Sequence, residues 1–512
     1  MDFSTLIMQI DNILWATPLI ILTFGLALIY CIAIKFGNVT NIKLQWKLLT
    51  KGESSEEGLS AFETFCSVAA YRVAVGNIGG VMVAIMYGGP GSVIWMIITA
   101  LVTSAIAFAE NSLGQLYKVR MDGQYRGGPY FYMEHGIPFK PLGKIFAVLF
   151  ALCASIGVPF LVTGPSANNI AMAMENSFGA PHWIVGLIIA VLLFMVISGG
   201  VRRIAKFSTI IVPFMTIGYL IITIIVLITH ASNVGPTLAM MFSSAFGGGH
   251  AIFGGMLGAA FSYGVKRAVN SSGSGFGETP PSAAAAETPH PANQGLVNAF
   301  SVYIDVAVCA CSGIMALVTD CFNVLNADGT TFKYIGAGSA QMQAQADSMT
   351  AGVVWVQEAA NTALPVIGGI IIAIALTCFA YSTCIAYYYE GESGLAYLTR
   401  KANDKTRKTL IWGVRIIMPI FFFIWSNVTA STAWAISEIM FAIMSWLNLI
   451  ALIFLLPNVK KMYDDFFQQL KAGIEVPYFN PKKLGIKNVD LWMDINKDLI
   501  AEGKAEAIYN EK

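Results

Sequence analysis

The chain contains about eleven apolar runs, and each has the roughly 20 mostly apolar residues that a bilayer-spanning helix needs. The runs cover approximately residues 13–35, 61–87, 91–117, 142–174, 182–198, 204–229, 250–268, 294–320, 364–389, 409–426 and 431–456. Only 12% of the 512 residues are charged, whereas soluble domains average about 25%. The sequence therefore predicts an all-α polytopic membrane protein.

The basic residues are concentrated in alternate loops. They are Lys35, Lys43, Lys47 and Lys51 after the first run, Lys118, Arg120, Arg126, Lys140 and Lys144 after the third, Arg202, Arg203 and Lys206 after the fifth, Lys266 and Arg267 at the end of the seventh, and Arg400, Lys401, Lys405, Arg407 and Lys408 after the ninth. Cytoplasmic loops carry excess Lys and Arg. The pattern predicts an external N-terminus and a cytoplasmic C-terminus. Lys333, in the long loop 321–357, is the exception.

Composition and motifs exclude several classes of protein. The 31 basic and 30 acidic residues nearly balance, so the chain lacks the basic excess typical of nucleic-acid binding. The eight cysteines mostly lie in apolar runs and form no disulfide or metal pattern. We find no HExxH, GxSxG or phosphate-loop motif, and so predict no catalytic residue. A transporter, a channel and a membrane enzyme remain as alternatives; one chain that supplies two broken helices favours the transporter.

Two runs have sequences that interrupt a helix. The second contains residues 73–80, VAVGNIGG, and the seventh is opened by glycines at 247–249 and continues with Gly254, Gly255 and Gly258. Irregular backbone at membrane depth is tolerated only where it lines a cavity or is buried in protein. Broken helices at corresponding places in two halves of a transporter indicate inverted repeats around a central site.

If each interrupted helix is the first of a five-helix repeat, the chain has four parts. Residues 1–60 form an extra first helix and a loop, residues 61–235 a first five-helix repeat, and residues 236–457 a second. Residues 458–512 are short and poor in apolar side chains, so we expect a solvated cytoplasmic tail without a sizeable core.

Several polar side chains lie within the apolar runs. Arg72 precedes the first interruption, and a pair with Glu110 or Asp305 is favoured over direct substrate contact because freed N–H groups can bind a carboxylate. For Glu110, Asp305 and Glu438, interhelical bonding is favoured over a role in proton coupling. The adjacent hydroxyls of Ser382 and Thr383 either bond the preceding turn or act as oxygen ligands of a small cation.

A set of motifs identifies a family. Residues 72–80, RVAVGNIGG, resemble RVGTGNIAG of the alanine or glycine:cation symporter family. Further matches follow in order within residues 13–457: 125–130 (YRGGP), 199–205 (GG-x-x-RIA), 212–215 (VPFM), 290–295 (HP-x-x-QG), 379–383 (FAFTT), 391–392 (GE) and 448–452 (NLIAL).

The resemblance implies a leucine-transporter-type fold with two inverted five-helix repeats after one extra helix. It implies sodium-coupled symport of alanine or glycine into a prokaryotic cell across the inner membrane, with no nucleic acid and no obligatory protein partner. The candidate substrate-binding residues are Val75, Gly76, Asn77, Ser166, Phe253 and Gly254. The candidate sodium ligands are Ala70, Val73, Phe379, Ser382 and Thr383. A proton in place of sodium, or a related small carboxylate as substrate, is the alternative.

The chain departs from the family pattern at three places. Val75 stands where the family has Thr, and Ser166 where it has Gln. The family motif SNEAGLGSAP reads SSGSGFGETP at residues 271–280, so its Asn-Glu pair is lost. We therefore expect a pocket that is less polar near Val75 and roomier near Ser166.

The predicted orientation can be tested with single cysteines in a cysteine-free variant. A cysteine in loop 321–357 should react with a membrane-impermeant thiol reagent in intact cells, because the charge pattern places this loop outside. Reaction only after the cells are permeabilised would contradict the predicted orientation.

Overall fold

The computed structural model describes residues 7, 9–10, 13–15, 17–50, 58–247, 256–349 and 351–505. Helices make up most of this part of the chain, and its strands form two short antiparallel pairs, β1 with β2 and β3 with β4. The strands are β1 (Val119–Met121), β2 (Gln124–Arg126), β3 (Asn323–Leu325) and β4 (Phe332–Ile335).

The helices follow the predicted apolar runs. In chain order they are α1 (Thr17–Ala33), α2 (Gly37–Thr40), α3 (Ile42–Thr50), α4 (Ala61–Arg72), α5 (Gly79–Gly88), α6 (Ser92–Leu116), α7 (Pro129–Gly136), α8 (Lys140–Leu152), α9 (Gly164–Phe178), α10 (His182–Ile197), α11 (Gly200–Thr229), α12 (Ala231–Phe246), α13 (Leu257–Ser272), α14 (Pro280–Ala284), α15 (Pro291–Val318), α16 (Gln341–Asp347), α17 (Val353–Ala363), α18 (Ile367–Leu398), α19 (Asp404–Trp425), α20 (Ala430–Lys471), α21 (Pro481–Leu484), α22 (Leu491–Ile495) and α23 (Lys497–Glu502). A π-helical segment, Cys153–Val162, joins α8 to α9 and contains Pro159.

Seven helices among the described residues are long and apolar enough to cross a membrane, one of them the continuous Lys140–Phe178. Three shorter apolar helices cover Pro18–Ala33, Gly79–Gly88 and His182–Ile197. The predicted all-α membrane architecture is therefore confirmed. The count of about eleven spans and the boundaries at residues 61, 236 and 458 stay predictions.

The first interruption lies where the sequence predicts it. α4 begins with a capping box in which Ser60 Oγ accepts from Glu63 N (3.2 Å) and Glu63 Oε2 accepts from Ser60 N (2.8 Å). The helix ends at Arg72, and a 3₁₀ turn, Val75–Asn77, separates it from α5. Asn77 Oδ1 accepts from Ala74 N (2.9 Å), a side-chain bond that competes with helical hydrogen bonding.

The second interruption lies between α13 and α14, at residues 273–279. Gly273, Gly275 and Gly277 have φ angles of +57°, +96° and +78°, a left-handed conformation that glycine adopts without strain. The sequence also predicts a break among the glycines between 247 and 258. Of that stretch, residues 248–255 lie outside the described part, α12 ends at Phe246 and α13 begins at Leu257.

The C-terminal segment is not the solvated tail that its composition predicts. α20 continues to Lys471, beyond the expected boundary at 457, and the following residues dock onto the loops between the spans. Phe479 N and Asn496 Nδ2 donate to Pro289 O (2.9 and 2.8 Å), and Trp492 Nε1 donates to Leu116 O (2.9 Å). The expectation is wrong because the membrane part provides the apolar surface that the segment lacks.

A buried lysine lies under this segment. Lys118 Nζ donates to Ala286 O (3.1 Å) and faces the rings of Tyr125 and Trp492 at 4.1 and 4.8 Å. Burial lowers the pKa of Lys118 to about 7, because the charged amine loses its hydration. The docked segment therefore acts on the electrostatics of the adjacent loops as well as on their packing.

Replacement of Trp492 tests whether the docked segment stabilises the membrane part. Trp492→Ala removes a fully buried ring and its hydrogen bond, and should cost about 3–5 kcal/mol of stability. We expect a clearly lower thermal unfolding temperature for the detergent-purified protein. Trp183→Ala is the matched control, since Trp183 is 55% exposed. Equal unfolding temperatures for Trp492→Ala and the unmodified protein would show that the docking contributes no stability.

Candidate functional site

A cavity opens where the two interrupted helices meet. Its wall combines the first interruption with residues of α9, α13, α18 and α20 and with one acidic residue of the second interruption. The lining residues are Tyr71, Ala74, Val75, Gly76, Asn77, Val162, Pro165, Ser166, Arg267, Asn270, Ser271, Glu278, Tyr387, Trp434, Ser437, Glu438 and Phe441. The structure thus brings together four of the six predicted substrate residues: Val75, Gly76, Asn77 and Ser166.

The 3₁₀ turn determines which backbone groups the cavity wall presents. Asn77 N donates to Ala74 O (3.1 Å), so this N–H is not free for a carboxylate in this conformation. Gly76 and Val75, the other predicted contacts of this segment, directly precede Asn77 and line the same cavity. Ser166 is buried opposite them, within hydrogen-bonding reach of the Cys384 thiol. The remaining two candidates, Phe253 and Gly254, lie outside the described residues.

Arg267 is a cavity residue that sequence analysis counted as a loop charge. A Cβ atom added to Gly76 would lie 2.1 Å from Arg267 Nη2, and one added to Gly80 would lie 2.4 Å from its Cζ. The guanidinium also lies 5.7 Å from the Trp434 ring. The two glycines therefore leave the space that the guanidinium fills above the first interruption.

Lys266 was assigned to the same loop and also faces the protein interior. Lys266 Nζ lies 3.5 Å from Glu438 Oε2 and 5.7 Å from the centre of the Trp15 ring. The helix end predicted near residue 268 lies a few residues too early, because α13 continues past Lys266 and Arg267 to Ser272; the side of the membrane on which they lie stays a prediction. Glycines at alternate positions 273, 275 and 277, followed by two prolines, were the signal for the later break.

Arg72 connects the two interruptions from outside the cavity. It is fully buried, with Nε donating to Ser301 Oγ (2.9 Å) and Nη1 to Ser274 Oγ (3.3 Å). Its Nη2 lies 3.9 Å from Glu110 Oε1. The structural interpretation of Arg72 as the partner of a buried carboxylate is confirmed.

Glu110 and Asp305 each bind an interruption. Glu110 Oε2 accepts from Gly275 N (3.2 Å) and from Asn448 Nδ2 (3.1 Å). Asp305 Oδ1 accepts from Asn77 Nδ2 (2.6 Å) and Ser271 Oγ (2.8 Å). Both carboxylates, and Glu438 beside Lys266, therefore have the interhelical partners that sequence analysis favoured.

Hydrogen bonds connect four of the five predicted sodium ligands, and three of the four meet at the Thr383 hydroxyl. Thr383 Oγ1 lies 2.7 Å from Ala70 O and 2.9 Å from Phe379 O, and Ser382 Oγ donates to Phe379 O (2.9 Å). This group of oxygens joins the last turn of α4 to the middle of α18. The fifth residue, Val73, caps α4 at the start of the interruption.

The sodium:alanine symporter family profile matches residues 1–481. The chain belongs to this family. It is therefore a secondary transporter of the membrane and not an enzyme.

Several relatives match over nearly their whole length. The Bacillus subtilis protein YrbD is 40% identical, with 94% of this chain and 96% of the relative aligned. The sodium/proton-dependent alanine carrier protein of Bacillus sp. strain PS3 is 37% identical, with 87% and 96% aligned. The sodium/alanine symporter AgcS of Methanococcus maripaludis is 31% identical, with 89% and 95% aligned.

The crystal structure of MhsT in complex with L-phenylalanine has a similar fold. Its TM-score to this chain is 0.52, with 16% sequence identity, and the alignment covers 86% of this chain and 98% of MhsT. MhsT has the leucine-transporter-type fold, so the predicted fold class is confirmed.

Proposed function

We propose that this protein carries alanine or a related small amino acid into the cell together with sodium. The observation that carries the proposal is the cavity between two interrupted helices, whose wall presents backbone of the first interruption and the Arg267 guanidinium. The names of the relatives from Bacillus sp. strain PS3 and Methanococcus maripaludis, which specify alanine and sodium, support it.

The substrate carboxylate would meet the first interruption. The N–H groups of Val75 and Gly76 lie at the start of a helical turn, where partial positive charge favours an anion. Arg267 places a full positive charge over the same backbone. Ser166 would lie on the side-chain end of the substrate, where a small residue leaves room. Phe253 and Gly254 remain candidate contacts from the sequence.

The sodium ion would bind among the oxygens of Ala70, Val73, Phe379, Ser382 and Thr383. Carbonyl and hydroxyl oxygens are hard ligands, and a set of such oxygens suits a small hard cation that gives up its water. The distances at Thr383 support this site, because α4 and α18 bring their oxygens together there.

The ion and the substrate would act on the same broken helix. An ion that binds α4 to α18 favours the arrangement in which both helices supply ligands, and the substrate favours the same arrangement through Val75 and Gly76. Alternating exposure of the cavity to the two sides then moves both solutes. In the orientation we predict, with the N-terminus outside, the cycle carries them inward.

The proposed function can be tested with purified protein in liposomes. An inward sodium gradient should drive accumulation of labelled alanine, and an equal potassium gradient should not. Failure of sodium to drive uptake of alanine or any other small amino acid would contradict the proposal.

Replacement of Thr383 tests the sodium site. Thr383→Ala removes one ligand and little volume, so we expect about tenfold weaker sodium activation of uptake, corresponding to about 1.4 kcal/mol. Thr377→Ala is the matched control, because Thr377 lies in the same helix and donates to Ala373 O one turn back (2.8 Å). A sodium titration of uptake compares the two variants. The same sodium dependence for Thr383→Ala and Thr377→Ala would show that Thr383 serves only to bond α18 to α4 and does not bind sodium.

Replacement of Ser166 tests the size of the pocket. Ser166→Gln restores the larger residue of the family pattern and fills space in the cavity. Alanine should still bind, while amino acids with longer side chains should lose about tenfold or more in affinity relative to alanine. Ser166→Ala, which adds no volume, should leave this ratio unchanged. Strict preference of the unmodified protein for glycine and alanine would contradict a roomier pocket.

A further inference from the structure

Glu278 and Glu390 are buried carboxylates with oxygen atoms that have no hydrogen-bond partner among the described residues. Glu278 is 2% exposed, and its Oε2 atom has no partner among the described residues. Glu390 of α18 is fully buried, and neither of its oxygens has one. Buried polar groups are nearly always bonded, so these two carboxylates require an explanation that interhelical pairing does not give.

Glu278 lines the cavity, whereas Glu390 is not among the lining residues. Glu278 lies in the second interruption, one residue after Gly277 and two before α14. Alternating access opens the cavity first to one side of the membrane and then to the other. As a cavity residue, Glu278 is therefore placed to meet water in each open state, whereas it is 2% exposed in the present structure.

The Glu278 carboxylate occupies space that a side chain at position 273 would fill; Gly273 has none. A Cβ atom added to Gly273 would lie only 1.8 Å from Glu278 Oε1. In the motif SNEAGLGSAP, the residue aligned with Gly273 is Glu and the residue aligned with Glu278 is Ser. A carboxylate therefore lies beside position 273 in this chain as well, but it belongs to Glu278, five residues later.

Charged and titratable groups surround Glu278 on every side. They are Tyr71 and Arg72 from α4, Glu110 from α6, Arg267 from α13, Asp305 from α15, Tyr387 and Glu390 from α18, and Glu438 from α20. Of the two cations, Arg72 lies beside Glu110, and the Arg267 guanidinium lies over Gly76 and Gly80 of the first interruption. An ionised Glu278 would therefore add a further negative charge to a buried region that already contains Glu110 and Asp305.

We propose that Glu278 binds and releases a proton during transport, so that protons move together with sodium and the amino acid. The inference rests on the proposed symport function. In the state open to the outside, the carboxylate takes a proton from hydronium, which forms one O–H bond and leaves water. In the state open to the cytoplasm, this O–H bond breaks and the proton passes to water there.

Closure of the cavity explains why the proton and the substrate are coupled. Closure removes water from Glu278, and a dry carboxylate without partners is far more costly when it is ionised than when it is neutral. Protonation therefore favours the closed state, which is also the state that holds the substrate. By linkage, bound substrate favours protonation of Glu278.

The test uses the full-length protein in liposomes that contain a pH-sensitive dye. Potassium and valinomycin hold the membrane potential at zero, so that protons do not move in response to voltage. Alanine and an inward sodium gradient are then applied to the unmodified protein and to Glu278→Gln, Glu278→Asp and Glu390→Gln. Glu390→Gln is the matched control, since it neutralises a buried carboxylate that does not line the cavity.

We expect alanine to acidify the interior with the unmodified protein, with Glu278→Asp and with Glu390→Gln. Glu278→Gln should reduce the proton flux per alanine by about tenfold or more, as expected for loss of a coupled ligand. It should also abolish the pH dependence of alanine affinity while retaining alanine exchange at equal concentrations. If Glu278→Gln does not fold, Glu278→Ser, which carries the family residue, should give the same result.

Other outcomes would overturn the inference. Sodium-driven alanine uptake without proton movement in the unmodified protein would reject proton coupling and leave the proposed function intact, whereas absence of uptake would reject the proposed function itself. Unchanged proton flux in Glu278→Gln would reject Glu278 as the site. Weaker sodium activation with an unchanged pH profile would make Glu278 a sodium ligand. Loss of flux in both Gln variants would reject a single carboxylate as the proton site.

Discussion

A helix that is broken inside a membrane exposes backbone groups that lipid cannot satisfy, and the remainder of this fold depends on how those groups are bonded. At the second interruption, side chains bond the freed backbone groups. Gly275 N donates to Glu110 and Gly275 O accepts from Asn448 Nδ2 (2.9 Å), so residues of α6 and α20 replace the missing helical partners. Arg72 then lies beside Glu110 and bonds Ser274 in the same segment. One polar network therefore fixes both interruptions against each other.

Because of this network, some polar groups of the cavity wall are hydrogen-bonded within the protein, whereas others face the cavity. Asp305 accepts from Asn77 and from Ser271, and thus holds the two sides of the cavity wall at a fixed spacing. These bonds occupy side-chain atoms of Asn77 and Ser271, two residues of the cavity wall. The groups left to face it, among them Arg267 and Glu278, are free to respond to a solute. Asp305 thus has a structural role, whereas Arg267 and Glu278 are available to a solute.

The sequence predicted the apolar helices and the first interruption well, because both depend on local composition. Residues 73–80 combine β-branched residues, glycine and Asn77, which are unfavourable in a helix for local reasons. The break predicted among the glycines at 247–258 stays a prediction, because residues 248–255 lie outside the described residues, whereas the interruption at 273–279 was not predicted. The docked C-terminal segment escaped prediction because Trp492 is buried by Leu116 and Lys118, more than 300 positions away, and composition contains no information on such contacts.

Comparison of motifs by position alone would describe residues 271–280 as a loss of function, since the family glutamate is absent. In the structure, however, the Glu278 carboxylate lies beside Gly273, the position aligned with that glutamate. Gly273 has a φ of +57° and no side chain, and Glu278 fills the space beside it. A Cβ atom at 273 would lie 1.8 Å from Glu278 Oε1, so any side chain at 273 would displace the Glu278 carboxylate from its present position. The chain lacks the motif's glutamate at 273 and still has an acidic group at the cavity, which Glu278 supplies.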